Sequence, residues 1–256
     1  MTKLKCASFF AGVGGIDLGF EESGGFKTVY ANEFDSYPSK TFELNFPDVK
    51  VDVRDIREVK SDEIPEFDVM LAGFPCQAFS IAGYRKGFDD EKGRGELFFE
   101  LTRIIEDKRP RVCFFENVKN LVSHDNGNTF RVICEQLDIL GYKYTSQVLN
   151  AMKNDEKSNP AIYQWRRKYV RKNKSGVVPT LTANQGEGGH NVCLIHTDDN
   201  KIRKMTPREC FNAQGFPKDF KLPTNMSESR LYKQAGNSVC VSVIERIAEN
   251  IKEVVE

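Results

Sequence analysis

The chain has 256 residues, enough for one large domain or for a large and a small one, and its 37 basic and 37 acidic side chains cancel to a formal charge of zero. No run of about 18 apolar residues is present, and Met1-Thr2-Lys3-Leu4-Lys5-Cys6 lacks the long apolar region of a secretory signal, so a cytoplasmic protein without membrane contact is expected. The seven cysteines, Cys6, Cys76, Cys113, Cys134, Cys193, Cys210 and Cys240, contain no Cys-x-x-Cys pair; reduced thiols and no metal site are expected.

In chain order, Leu4 to Phe10 reads as a strand turning at Gly12, and Ile16 to Glu22 as a helix. Thr28 to Ala31 is a short strand ending in Asn32-Glu33. Ser36 to Phe46 is helical, with Pro38 in its first turn. Phe67 to Ala72 is an apolar run closed by Gly73 and Pro75, as in a buried strand followed by a sharp turn. Glu96 to Asp107 is an amphipathic helix with Leu97, Leu101, Ile104 and Ile105 as its apolar stripe. Val112 to Phe115 is a strand, Thr129 to Leu140 a helix stopped by Gly141, and Tyr142 to Leu149 a further strand. Repeated strand–helix units predict an α/β fold with a mainly parallel sheet and helices on both faces. After Asn150 the alternation stops. The glycine-rich, basic stretch through Gly189 reads as a separate small domain, and Ser242 to Val255 as a final amphipathic helix.

Between Ala151 and Thr180, eight basic residues face only Asp155 and Glu156, leaving this segment at +6 and the remainder at −6. Tyr163, Trp165 and Tyr169 lie among the charges. A solvated basic face is the plain reading; a polyanion with stackable bases is the one the aromatics favour.

Cys76 follows the strand Phe67 to Ala72. Loops beyond the carboxyl ends of strands in α/β sheets hold ligands and chemistry, so a cysteine there is presented to a cleft, although many cysteines only fill cores. Phe10-Ala11-Gly12-Val13-Gly14-Gly15 joins the first strand to the first helix, where glycines let a ligand approach the backbone. Glu33, about 20 residues on, has the spacing of an acid that grips ribose hydroxyls. Asp55 follows a third short strand and suits an adenine amino group. Glu116 ends the strand Val112 to Phe115. It reads either as a helix-dipole carboxylate or as an acid–base group beside Cys76, with burial raising its pKa. The histidines His124, His190 and His196 are not placed to activate Cys76 as in a cysteine hydrolase.

These motifs, in order, resemble those of the bacterial and phage-type DNA cytosine-5 methyltransferases. The resemblance runs from Lys5 to Asn150 and from Tyr163 to Ile251. It is carried by Phe10-Ala11-Gly12-Val13-Gly14, Asn32-Glu33, Pro75-Cys76-Gln77, Glu116-Asn117-Val118, Arg203 through Cys210, and Gly236-Asn237-Ser238-Val239. It implies a Rossmann-like, S-adenosylmethionine-dependent methyltransferase sheet and a second, small target-recognition domain. Residues 1–150 with 229–256 would form the catalytic and cofactor-binding domain, and 151–228 a shortened recognition domain.

The resemblance implies Cys76 as nucleophile and Glu116 as its catalytic partner. S-adenosylmethionine, leaving as S-adenosylhomocysteine, would bind Phe10, Gly12, Gly14, Glu33, Phe34, Asp55, Pro75, Asn237 and Val239, with Phe34 facing the adenine. Duplex DNA containing a target cytosine would meet Gln77, Ser80, Arg94, Arg166, Lys168, Thr180 and Thr182. The loop Ser80 to Gly95 would close over a flipped base, and Arg208 would organise the recognition domain. A monomer and a cognate restriction endonuclease are the expected oligomeric state and partner. Two alternatives stay open: a relative that binds S-adenosylmethionine or DNA without turnover, and a cytosine methyltransferase acting on RNA.

The chain departs from the family pattern around residues 151–162. The usual strand carrying Gln-x-Arg-x-Arg is missing, as is much of the recognition region. One expectation is that Ile162 to Val170 doubles as the missing strand, with Arg166 or Lys168 replacing the lost arginine.

Overall fold

The computed structural model describes residues 2–75, 97–149, 162–166, 169–172, 178–187, 192–197, 199 and 201–255. These fall into two compact units. The first comprises Met1–Ala11, Gly24–Phe34 and Asp48–Leu149; the second comprises Gly12–Ser23, Asp35–Pro47 and Asn150–Glu256.

The first unit holds a five-stranded sheet of β1 (Leu4–Phe9), β2 (Phe26–Asn32), β3 (Val51–Asp52), β4 (Val69–Ala72) and β5 (Val112–Phe115), all parallel, in the order β3-β2-β1-β4-β5. Cys6 to Phe9 and all of β4 are buried at every position, as apolar strands covered on both faces must be. The strand order reverses between β1 and β4, so the loops leaving these two strands part at a topological switch point.

Two helices of this unit, α3 (Leu97–Lys108) and α4 (Asn128–Ile139), share a core with the sheet. Phe98, Leu101, Ile104, Ile105, Ile133 and Leu137 pack there with Ala7, Phe9, Met70 and Ala72. The expected stripe of α3 is present, with Phe98 added and Leu97 at its half-buried rim.

The expected strand Tyr142 to Leu149 does not form. Gly141, at φ 81°, stops α4, and Tyr142 N–H donates back to the Leu137 carbonyl at 2.9 Å. The Tyr142 hydroxyl donates to the Pro110 carbonyl at 2.7 Å. Tyr142 is thus the apolar residue that closes a helix stop, and residues 143–149 run exposed beyond it.

The second unit contains α1 (Gly15–Glu22), α2 (Ser36–Asn45), α5 (Pro207–Ala213), α6 (Glu228–Gly236) and α7 (Val241–Val255). It also contains an antiparallel sheet of β6 (Ile162–Arg166), β7 (Tyr169–Lys172), β8 (Val192–His196) and β9 (Ile202–Lys204), in the order β7-β6-β8-β9. Its core joins Val13 with Leu181, Cys193, Met205, Phe211, Phe216, Phe220, Tyr232 and Val241. The rings of Phe211, Phe216 and Phe220 pack at centroid distances of 4.7–5.8 Å.

Ile162 to Arg166 therefore pairs with β7 and β8 and does not replace a strand of the parallel sheet. Its alternation decides this: Gln164 is buried and takes two hydrogen bonds from the Arg171 guanidinium across the hairpin, at 3.0 and 3.2 Å. A short hairpin satisfies such a polar strand, whereas a central parallel strand needs apolar residues on both faces. Among the described residues no helix is long and apolar enough to cross a membrane.

Candidate active site

Parallel pairing in one sheet brings the carboxyl ends of β1 to β5 to one edge. Phe10, Glu33, Phe34, Asp55, Pro75 and Glu116 all follow these ends. Phe10 leaves β1 with φ 53°, a left-handed conformation that costs a non-glycine residue about 1–2 kcal/mol. Gly12 and Gly14 follow at φ 56° and 84°, so the chain alternates through left-handed positions before α1 begins. Gly14 caps that helix, and a Cβ there would lie 2.4 Å from Phe46 Cε2. Asp17, in the first turn, is fully buried at the positive end of the helix and escaped the sequence reading.

Glu33 N–H donates to the Asp52 carbonyl at 3.1 Å, and Phe34 beyond it is 71% exposed. An aromatic face this open at a strand end suits stacking against a flat ligand. Asp55 caps the 3-10 turn Ile56–Glu58 by accepting from Arg57 N–H at 3.0 Å, and its carboxylate also accepts from Arg57 Nε at 2.9 Å. The Arg57 contact holds the Asp55 carboxyl below its ordinary pKa, so it remains an anionic acceptor. Beside it, Arg54 joins Asp52 at 2.7 Å and Glu63 at 2.8 Å, and Tyr30 donates to Asp52 at 3.1 Å.

Glu116 sits directly after β5. Its N–H donates to the Ala72 carbonyl at the end of β4, at 2.9 Å. The next side chain continues the tie, Asn117 Nδ2 donating to the Phe74 carbonyl at 2.7 Å while Asn117 Oδ1 accepts from Val118 N–H at 2.9 Å. These bonds fix the Glu116 turn to the segment Gly73-Phe74-Pro75 that enters Cys76. Phe74 is anchored against Phe98 and Phe115, at 5.4 and 5.9 Å between ring centroids. Burial pushes the Glu116 carboxyl above its ordinary pKa. A carboxyl that keeps its proton nearer neutrality donates a hydrogen bond as an acid and accepts once ionised.

In the second unit, the C-terminal motif meets the start of α1. A Cβ on Gly15 would lie 2.6 Å from Ser238 Oγ and 3.1 Å from Val239 Cγ2. Gly236 has its Cα against the Thr182-Ala183 backbone, where a Cβ would come within 2.3 Å. The expected DNA-facing segment, with Thr180 exposed and Thr182 half-buried, is thereby seated on the Gly236-Asn237-Ser238-Val239 motif. In the run Arg203 to Cys210, Arg203 forms a two-pronged pair with Glu209, both distances 2.7 Å. That hydrogen bonding lowers the Glu209 pKa to about 2. Thr206 and Glu209 close a capping box with Pro207 at the first helical position. This run is held by Arg203 and Glu209, and one Arg208 guanidinium nitrogen is buried without a described partner.

Cys76, Gln77, Ser80, Arg94 and Lys168, and the loop Ser80 to Gly95, lie outside the described residues, and of Arg166 only the backbone is described. The β6–β7 hairpin exposes Trp165, Tyr169 and Val170, with Trp165 paired to Val170 and Tyr163 to Lys172. Of the aromatic and basic residues noted in the sequence, Tyr163, Trp165, Arg166, Tyr169, Arg171 and Lys172 thus share one small sheet.

A parallel sheet in this order, with acidic and aromatic residues at its strand ends, has the doubly wound α/β form, in which ligands are held beyond the carboxyl ends of the strands. The comparisons are more particular. The model of the C-5 cytosine-specific DNA methylase family matches residues 4–159 and 152–253, and the chain belongs to that family. It is 49% identical to the Type II methyltransferase M.Bsp6I of Bacillus sp. (strain RFL6), over 97% of this chain and 98% of that one. It is 34% identical to the Type II methyltransferase M.HhaI of Haemophilus parahaemolyticus, over 98% and 95%. The solved structure of S. pombe Dnmt2 methyltransferase has the same fold, with a TM-score of 0.72 at 15% identity, over 99% of this chain and all of that one.

The chain is accordingly a DNA cytosine-5 methyltransferase by descent. The alignment with M.Bsp6I runs over 313 positions against 256 residues here, so the relative carries residues with no counterpart in this chain. The family match comes in two pieces that overlap at residues 152–159.

Proposed function

We propose that this chain moves a methyl group from S-adenosylmethionine to carbon 5 of a cytosine flipped out of duplex DNA, through a covalent adduct with Cys76. The observation that carries the reading is the double tie from Glu116-Asn117 to Ala72 and Phe74, which holds a carboxyl whose pKa is raised by burial beside the segment that precedes Cys76.

Carbon 5 of cytosine is too electron-poor to attack a methyl donor unaided. Addition of the Cys76 thiolate to carbon 6 makes an enamine whose carbon 5 is nucleophilic. Glu116 hydrogen-bonds ring nitrogen 3 and the amino group, stabilising charge as the adduct forms. After methylation the carbon 5 proton leaves to a base and the thiolate is expelled. The base reacts only outside the stack, so flipping precedes chemistry.

S-adenosylmethionine supplies an electrophilic methyl on a sulfonium sulfur. The residues present fit it. Glu33 and Asp55 are acceptors for ribose hydroxyls and an adenine amino group, Phe34 offers an open ring, and the family resemblance assigns Phe10, Gly12, Gly14, Pro75, Asn237 and Val239 to the same cofactor. In this reading residues 1–150 with 229–256 bind cofactor and catalyse. Residues 151–228 meet DNA, with Gln77, Ser80, Arg94, Arg166, Lys168, Thr180 and Thr182 on phosphates or bases. The protein acts as a monomer beside a cognate endonuclease.

Trapping tests the adduct: duplex DNA carrying 5-fluorocytosine blocks loss of the carbon 5 substituent, so a denaturation-resistant complex is expected with the wild type and none with Cys76→Ala. The residues absent relative to M.Bsp6I favour one second reading, a chain that binds cofactor without turnover. It predicts bound S-adenosylmethionine and no trapped complex.

A further inference from the structure

We infer that Asn32 is a positioning residue that sets the spacing of the cofactor-binding loops, an inference that rests on the cofactor reading above. Asn32 is the last residue of β2 and the last pair in both of its ladders, opposite Phe9 of β1 and Asp52 of β3. It is 2% exposed. Its carbonyl accepts from Ala11 N–H at 3.1 Å, where the glycine loop begins. Its side-chain Nδ2 donates to two carbonyls of the β3 turn, Asp52 and Arg54, each at 2.9 Å. The next residue, Glu33, donates its own N–H to the same Asp52 carbonyl at 3.1 Å.

One buried residue thus joins three strand-end turns, its main-chain carbonyl tying β2 to the first and its carboxamide tying β2 to the third. The first opens the glycine loop, the second carries Glu33 and Phe34, and the third leads to Asp55. Arg54 lies beyond the last β2–β3 pair, so the ladder does not reach its carbonyl and the Asn32 side chain supplies that bond. The residue next in sequence to Arg54 is Asp55, and the residue next to Asn32 is Glu33. The two carboxylates are therefore spaced by a side chain that touches neither.

Both donated bonds use the amide N–H₂, which only asparagine presents in this shape. Aspartate is isosteric but lacks the donor and sets a charge against two carbonyls, leaving buried polar groups unpaired.

The test is calorimetric binding of S-adenosylhomocysteine to the full chain, alongside methyl-transfer kinetics and thermal melts. It compares wild type, Asn32→Ala, Asn32→Asp and Leu137→Ala. Leu137 is a buried residue of α4 in the same core, and its truncation is a control for general destabilisation. Loss of two hydrogen bonds that pre-set the loops predicts a Kd about tenfold weaker for Asn32→Ala, and weaker again for Asn32→Asp. KM for S-adenosylmethionine rises in parallel while kcat at saturation stays within about threefold. Leu137→Ala lowers Tm with unchanged Kd. Equal Kd for Asn32→Ala and wild type overturns the inference alone, as does equal weakening in Leu137→Ala. A wild type that binds no S-adenosylhomocysteine overturns the cofactor reading, and the inference with it.

Discussion

The parallel sheet of the first unit is ordered by apolar strands buried on both faces, and the second unit by glycine contacts, an aromatic cluster and side-chain hydrogen bonds around a small antiparallel sheet. The difference shows in how each holds its motifs. In the first, strand register brings Glu33, Pro75 and Glu116 to one edge, and short bonds such as Asn117 to Phe74 and Asn32 to Arg54 refine it. In the second, Gly15 and Gly236 exist to let Ser238, Val239 and the Thr182 backbone come close. Packing defects should therefore dominate in the first unit and steric insertions in the second.

The largest expected effect follows from Phe74→Ala, which empties a buried site between Phe98 and Phe115. A loss of about 4 kcal/mol is expected from denaturant unfolding. Next is Gly236→Ala, whose Cβ would meet backbone at 2.3 Å. About 3 kcal/mol of destabilisation is expected, because backbone cannot yield as a flexible side chain can. A smaller loss there would show that the Thr182 segment moves freely and that the contrast between the units is overdrawn.

A pH-dependent effect comes third. The Glu116 pKa is raised by burial, so the folded state holds this proton more tightly than the unfolded chain. Stability therefore falls as pH rises from the ordinary value of 4.5 through the raised one. Glu116→Gln should flatten that slope, read from urea midpoints between pH 4 and 8. Glu209 has the opposite sign and the smallest effect. Its pKa, lowered to about 2 by Arg203, contributes stability above 4.5 that is lost as pH falls toward 2. The pair is partly exposed, so Glu209→Gln should cost little at pH 7, and the difference should vanish in acid.

The same contrast explains what was legible. Strands and helices through Ile139 follow from apolar runs, helical spacing and glycine stops, and their ends agree to within about two residues. Tyr142 to Leu149 misled because its alternation is that of a strand, whereas a ladder needs a neighbour and Tyr142 was taken by the helix stop. The hairpin of β6 and β7 was hidden by charge. Arg171 reads as a basic surface residue until Gln164 is seen opposite it. The start of α5 is legible in the Thr206-Pro207-Arg208-Glu209 capping box. The Asn32-Glu33 motif was legible, but the role of Asn32 lies in the carbonyls it meets, which the sequence does not place.

The account rests most on Cys76 attacking cytosine from a chain shorter than its relatives. The direct measurement is tritium transfer from labelled S-adenosylmethionine to mixed-sequence duplex DNA, with Cys76→Ala alongside. The account predicts incorporation by the wild type and a fall to background in Cys76→Ala. Equal incorporation by both proteins, or none by a wild type that binds S-adenosylmethionine, would contradict it.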